Sequence, residues 1–307
     1  MSLYLKYRPS TFEAIKGNSE VINAIKGLIA KGEDCPHVFL LHGRTGCGKT
    51  TLARIIASEL GCSLDSSDYV EVDSADFRGI DTVRDIRKNS DFLPLESPCR
   101  VWVIDECHKM TNDAQNALLK TLEDTPRFVY FILCTTDPQK LISTIKGRCS
   151  IHQVVPLNET QMFALLRGIV RAEGEMVEKE VYDQVIKSGR GLPRNTINIL
   201  ESVLGVSPEE RLEMAKRVEA EAVQSIELCR ALINNEKWAK VAEILTGIKD
   251  QEPESIRRGV FGYAAAILMK GKDMPLCGLI MEEFEHPTYD NGFNQIVKAA
   301  YTVTKNK

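Results

Sequence analysis

Eight consecutive residues, Gly43-Arg44-Thr45-Gly46-Cys47-Gly48-Lys49-Thr50, set three glycines, a lysine and a hydroxyl at the spacing G-x-x-x-x-G-K-[ST]. Glycines let a loop close until several backbone N–H groups point at one anion. A helix following such a loop turns its positive end toward the same point. In that arrangement Lys49 suits the β and γ phosphates of a nucleotide, and the Thr50 hydroxyl suits Mg²⁺. Further along, Arg100-Val101-Trp102-Val103-Ile104 ends in two adjacent acids, Asp105 and Glu106. Taken alone, two acids closing a strand are most simply solvated. Beside a phosphate-binding loop they suit different chemistry, with Asp105 holding Mg²⁺ through water and Glu106 polarising an attacking water.

The elements around these residues must bring them together. Val38 to Leu41 is a short apolar run leading into the glycine loop, and residues 51–60 carry Leu52, Ile55, Ile56 and Leu60 at helical spacing before Gly61. Tyr69 to Asp73, Arg100 to Asp105, Phe128 to Cys134 and Ile151 to Val155 read as further strands, and Asp113 to Asp124 as a helix with Thr111 and Asn112 as cap chemistry. Strands alternating with helices predict an α/β fold with a parallel, doubly wound five-stranded sheet. Ligands of such sheets sit at the carboxyl ends of the strands.

From residue 156 the pattern becomes helical. Asn158 suits the cap of a first helix, a second ends at Gly189, and a third opens at Pro193 and runs to Gly205, so 156–205 predicts a three-helix lid. Residues 206–307 keep only helical periodicity, with Trp238, Ile244, Leu245, Val260, Phe261, Ile267, Leu268, Phe293, Ile296 and Val297 as expected core. A helical domain carrying no catalytic constellation is most simply an assembly surface. The expected domains are therefore 1–155, 156–205 and 206–307.

The chain has 307 residues and a formal net charge of −4, so contact with nucleic acid would have to rest on a local basic surface. Arg78, Arg84, Arg87 and Lys88 give one candidate, although each alone reads more simply as a solvated charge. The nine cysteines contain no C-x-x-C pair, which argues against zinc and against a disulfide scaffold. Together with the lack of any segment long and apolar enough for a bilayer, this predicts a cytoplasmic protein with no membrane partner.

The constellation resembles the ATPase subunits of sliding-clamp loaders, of the bacterial DNA polymerase III gamma/tau and replication factor C small-subunit type. The resemblance rests on Lys6-Tyr7-Arg8-Pro9, the glycine loop, Val103-Ile104-Asp105-Glu106-Cys107-His108, Asn116 to Glu123, Thr135 to Lys140, and Gly147-Arg148-Cys149. It implies an AAA+ core, a lid and a collar. It also implies a DNA-dependent ATPase using ATP and Mg²⁺, with a ring-shaped sliding clamp, primer-template DNA and other loader subunits of a pentamer as partners. By resemblance, residues Gly43 to Thr51 bind nucleotide, Thr50 and Asp105 hold the metal, and Glu106 is catalytic. Thr136 becomes the sensor of the γ phosphate, Arg194 the lid arginine, and Arg148 the finger given to a neighbour's ATP. Tyr4, Lys6, Tyr7 and Lys16 match the segment wrapping the adenine, and Gln115 the residue coupling the strand-end acids to a DNA-facing helix.

Two features depart from the family pattern. Gly147 stands where a serine is usual, and the four-cysteine zinc module and long C-terminal extension of the bacterial tau form are missing. Both suit a trimmed bacterial, phage or replication-factor-like relative. The competing reading is another AAA+ machine acting on DNA, such as a branch-migration motor, which should carry a basic winged-helix domain after the lid. A small-molecule phosphotransferase would need several phosphate-binding arginines in the lid, where only Arg194 qualifies.

Overall fold

The structure is a computed structural model that describes residues 1–74, 79–269, 274–288 and 292–306, without the side chains of 218–223. In chain order the first elements are α1 (Leu3–Lys6), α2 (Ser19–Ile29), β1 (Val38–His42), α3 (Lys49–Glu59), β2 (Tyr69–Asp73), α4 (Ile80–Ser90), β3 (Arg100–Asp105), α5 (Asn112–Glu123), β4 (Val129–Thr135), α6 (Ser143–Lys146) and β5 (Ser150–Gln153). The helices α7 (Glu159–Ala172), α8 (Lys179–Gly189) and α9 (Pro193–Leu204) follow. Contacts divide the chain into two compact units, Met1–Pro208 and Glu209–Lys307.

The sheet of the first unit is parallel throughout, with order β2-β3-β4-β1-β5. Its central strands are apolar between their end residues because both faces are covered. Alternation sends Val38, Leu40, Trp102, Ile104, Phe131 and Leu133 to one side, against Val83 and Ile86 of α4 and Leu118 and Leu122 of α5. It sends Phe39, Leu41, Val101, Val103, Ile132 and Cys134 to the other, against Ile22 and Ile25 of α2 and Leu52, Ile55 and Ile56 of α3. Each fully buried Leu, Ile or Phe contributes roughly 1.5–3 kcal/mol, which makes this two-sided stack the rigid platform for the loops at its carboxyl edge.

Element boundaries differ from the sequence reading by small steps with local causes. Gly48 takes φ 106° as the cap of α3, so the helix starts at Lys49 and both Lys49 and Thr50 belong to its first turn. The Thr111 hydroxyl accepts from the Ala114 N–H and starts α5 at Asn112. Asn158 and Gln161 form a reciprocal capping box at the start of α7. The last strand is shorter than expected, Ser150–Gln153, at the sheet edge, where Ile151 and Val155 are exposed.

The described residues of the second unit form helices α10 (Arg211–Ile233), α11 (Trp238–Gly247), α12 (Pro253–Leu268), α13 (Pro275–Glu283) and α14 (Phe293–Lys305). Of the ten residues expected in its core, only Leu245, Val260 and Ile296 are fully buried. Trp238, Ile244, Phe261, Ile267, Leu268, Phe293 and Val297 pack around the rim. The centre also holds Leu228, Val241, Ile256, Ala264, Cys277, Ile280 and Ala300. Glu254 is also buried, its carboxylate held by Arg257 at 2.7 Å, Arg258 at 2.9 Å and the Thr288 N–H at 3.2 Å. The Arg257 contact leads in lowering its pKa to about 2.

Candidate nucleotide site

The glycine loop leaves the carboxyl end of β1 at a point fixed by its neighbours. The Gly43 N–H donates to the Thr135 carbonyl at 3.2 Å, and a Cβ on Gly43 would stand 2.1 Å from the Val154 carbonyl oxygen. No side chain fits there, so this glycine is required by β5 packing rather than by phosphate. Gly48 is the opposite case: a Cβ there meets nothing within 4 Å and would project into open space, so its bare backbone leaves room for a ligand. Lys49 is buried, and its Nζ donates to the Gly43 and Arg44 carbonyls at 3.1 and 3.3 Å. The loop thus curls around the ammonium.

A helix and a strand are then joined. Thr50 Oγ1 donates to Asp105 Oδ2 at 2.7 Å, linking the first turn of α3 to the end of β3. A hydroxyl and a carboxylate oxygen side by side are the hard donors that Mg²⁺ prefers, so the pair fits the metal expected there. Glu106 follows in the left-handed region, at φ 48° and ψ 38°, with its N–H donating to Asp105 Oδ1 at 2.9 Å. A non-glycine residue held there costs on the order of 1–3 kcal/mol. The Thr136 hydroxyl donates to Glu106 Oε2 at 3.1 Å.

A cavity opens over these residues. Its lining includes Tyr4, Tyr7, Lys16, residues 45–51, Asp105, Glu106 and Arg194, all expected at the site from sequence. Arg194 reaches it from the start of α9: its N–H donates to the Gly46 carbonyl at 3.4 Å, and its guanidinium lies 5.5 Å from the Tyr4 ring centre. Gly43 and Arg44 lie outside the lining, as does Lys6, which pairs with Glu173 at 2.7 Å. Tyr7 donates to the same carboxylate, and Ser2 Oγ and the Leu3 N–H donate to Glu201 at 2.8 and 3.2 Å. The arm is therefore strapped to α7 and α9, with the Lys6 side chain on Glu173.

Other expected residues stand apart from the cavity. Gln115 is buried and ties three segments together: it donates to the Met110 and Lys140 carbonyls at 3.2 and 3.4 Å and accepts from the Ile142 N–H at 3.0 Å. Arg148 folds back on Glu123 and on the Thr144 carbonyl, the latter at 2.8 Å. Gly147 closes α6 with ordinary helical backbone, and a side chain there would meet only the Ser143 and Thr144 carbonyls, at 3.6 and 3.8 Å. The backbone does not demand glycine at that position. Arg84, Arg87 and Lys88 are exposed on α4 opposite buried Val83 and Ile86, with Arg84 paired to Asp81 at 2.8 Å; Arg78 lies outside the described residues.

Two site residues escaped the sequence reading. Arg8 lines the cavity, donates through Nε to Thr51 Oγ1 at 3.0 Å, and has its pKa lowered first by burial and then by the Arg54 charge. His108 sits against Glu106, with Nδ1 3.3 Å from Oε2. Both stand within the motifs that carry the family resemblance, but a single arginine or histidine has no spacing that announces a role.

The chain is similar to several known proteins. The family model described as DNA polymerase III, delta subunit, matches residues 66–158. The DNA polymerase III subunit gamma/tau of Mycobacterium tuberculosis is 35% identical over 225 residues, covering 66% of this chain and 39% of that protein. The replication factor C small subunit of Methanococcus maripaludis is 34% identical over 245 residues, covering 78% of this chain and 76% of the relative. The chain belongs to the family of DNA polymerase III gamma/tau and replication factor C small subunits. It spans about two fifths of the length of the mycobacterial gamma/tau relatives. The Thermotoga maritima RuvB Holliday junction branch migration motor superposes with a TM-score of 0.60 at 20% identity, covering 74% of this chain and 79% of that one. That likeness shows the AAA+ fold alone.

Proposed function

We propose that the chain is an ATPase motor subunit of a sliding-clamp loader, in which ATP binding drives assembly, clamp opening and primer-template binding, and hydrolysis releases the closed clamp on DNA. The observation that carries this reading is the 2.7 Å join between Thr50 and Asp105 beside Glu106. It unites phosphate loop, metal donors and water-polarising carboxylate at one sheet edge. Lys49 leaves its loop carbonyls for the β and γ phosphates, and Arg8 and Arg194 add positive charge from the arm and the lid. Thr50 and Asp105 are the donors for Mg²⁺, which supplies charge neutralisation on those phosphates when bound. Glu106 draws the proton of the attacking water, and Thr136, already on its carboxylate, is placed to exchange that contact for the γ phosphate.

A partner surface of the right character lies away from the cavity. Phe92, Leu93 and Leu95 are 65%, 70% and 80% exposed. Their loop is nevertheless fixed: buried Asp68 accepts from the Leu95, Glu96 and Ser97 N–H groups at 2.7–3.0 Å and pairs with Arg100 at 3.1 Å. Burial alone would raise the Asp68 pKa, and these donors more than offset it, so the net shift is downward. An apolar triad held rigid in water suits docking on a protein ring. Native mass measurement with ATP and a candidate clamp tests the function. A defined multi-subunit ring that gains the clamp only with ATP is expected, and a monomer indifferent to both overturns the reading.

The DNA contacts have a separate test. If Arg84, Arg87 and Lys88 track phosphates, replacing them weakens binding equally across sequences and lowers the salt slope by about 0.9 per lost contact. A sequence-selective loss in a salt titration would contradict that assignment.

A further inference from the structure

Glu106 is held by more than its place on the chain. Oε2 of its carboxylate receives the Thr136 hydroxyl at 3.1 Å and lies 3.3 Å from His108 Nδ1. Oε1 takes no hydrogen bond from the described residues. Nδ1 is also 3.0 Å from Thr135 Oγ1, which already accepts from the Asp137 N–H at 3.0 Å. A bare Nδ1 would set its lone pair against the Glu106 carboxylate, whereas the Nδ1–H tautomer presents a hydrogen to both Oε2 and Thr135 Oγ1 and is the one that suits these neighbours. The left-handed turn at Glu106 produces this meeting: it bends the chain into the short helix Cys107–Lys109 and brings the His108 ring back beside the Glu106 side chain, with Cys107 and Met110 buried on either side.

We infer that His108 is a positioning residue for the water-polarising carboxylate, fixing Oε2 through Nδ1–H so that Oε1 is left for the attacking water. The inference rests on the ATPase reading and adds to it a residue outside the lining of the cavity. The Thr136 hydroxyl and the His108 ring edge both face Oε2, so when Thr136 turns to the γ phosphate, His108 is left beside the carboxylate to hold it. A neutral imidazole suits this role because it orients Glu106 without cancelling its charge. Burial is the largest influence on His108 and lowers its pKa; Lys140 and Lys109 act in the same direction, against Glu106 and Asp137.

Three substitutions separate the positioning role from packing. Asn places an amide donor near the position of Nδ1, Gln places its amide near that of Nε2, and Ala removes both. With the full chain in its assembled ring, His108→Ala is expected to lower kcat by about tenfold to a hundredfold, the range for a hydrogen bond to a charged group. ATP affinity should stay within about twofold of the parent, since the ring makes no ligand contact. His108→Asn is expected to recover most of the rate and His108→Gln little of it, at matched melting temperatures. An unchanged kcat in His108→Ala, equal rates for Asn and Gln, or a parallel loss of affinity and rate would each overturn the inference. Normal turnover in Glu106→Gln overturns the ATPase reading at Glu106 and the inference with it, whereas an inactive Glu106→Gln beside a fully active His108→Ala sinks the positioning role alone.

Discussion

Lys49→Ala is expected to remove nucleotide binding, while Glu106→Gln is expected to bind nucleotide and stall. The two residues lie in one cavity but act at different stages. Lys49 is buried, and among the described residues its ammonium donates to two loop carbonyls, which a phosphate replaces with a charge-assisted partner. Losing it costs about a hundredfold or more in affinity, from roughly 1.5–3 kcal/mol per bond to a charged group. Glu106 contributes nothing comparable to binding, but a neutral amide cannot draw a proton from water as a carboxylate does, and general-base loss costs about 10²–10⁴ in rate. Equilibrium titration with a fluorescent ATP analogue and single-turnover hydrolysis separate the two. Unchanged affinity in Lys49→Ala removes it from the phosphate site; normal turnover in Glu106→Gln removes that residue from catalysis.

Much of this site was legible in the sequence because its chemistry is local. The glycine loop states its own spacing, and beside it a short apolar run ending in Asp105 and Glu106 reads as a buried strand opening at its carboxyl end. The two-sided burial of the sheet was readable for the same reason, since strands covered on both faces show no alternation. What could not be read depends on contacts far apart in the chain. Lys6 sits within a nucleotide-associated motif, yet Glu173, 167 residues later, draws it to the lid. Gly43 looks like one more loop glycine until Val154 occupies the place of its Cβ. The left-handed bend at Glu106 and the return of His108 onto its carboxylate have no periodicity at all. In the helical unit helical spacing marks which residues are apolar but not which of them meet at the centre: Ile256, Ile280 and Phe284 are fully buried, whereas Trp238 and Phe293 stay at the rim.

Arg148→Ala is expected to leave ATP binding by the isolated chain intact and to cut hydrolysis in the assembled ring by on the order of 10³–10⁵, the contribution of an arginine finger. The structure keeps Arg148 out of its own chain's cavity lining and rests it on Glu123 and the Thr144 carbonyl. Both partners of that ion pair are about a third to a half exposed, at 34% and 48%, and such surface pairs are worth only about 0–1 kcal/mol. Release toward a neighbour's phosphates therefore costs little beside the gain from stabilising charge on the transferred phosphoryl group. Gly147 imposes no strained backbone on that movement. A mixing experiment decides whether the arginine works across an interface. Rings of Arg148→Ala chains lack the finger everywhere, and rings of Lys49→Ala chains lack the phosphate loop everywhere. A mixed ring contains interfaces that pair an intact loop with an intact finger, so its hydrolysis should exceed that of either parent. If mixed rings assemble and no ratio of the two exceeds the separate variants, Arg148 does not act in trans.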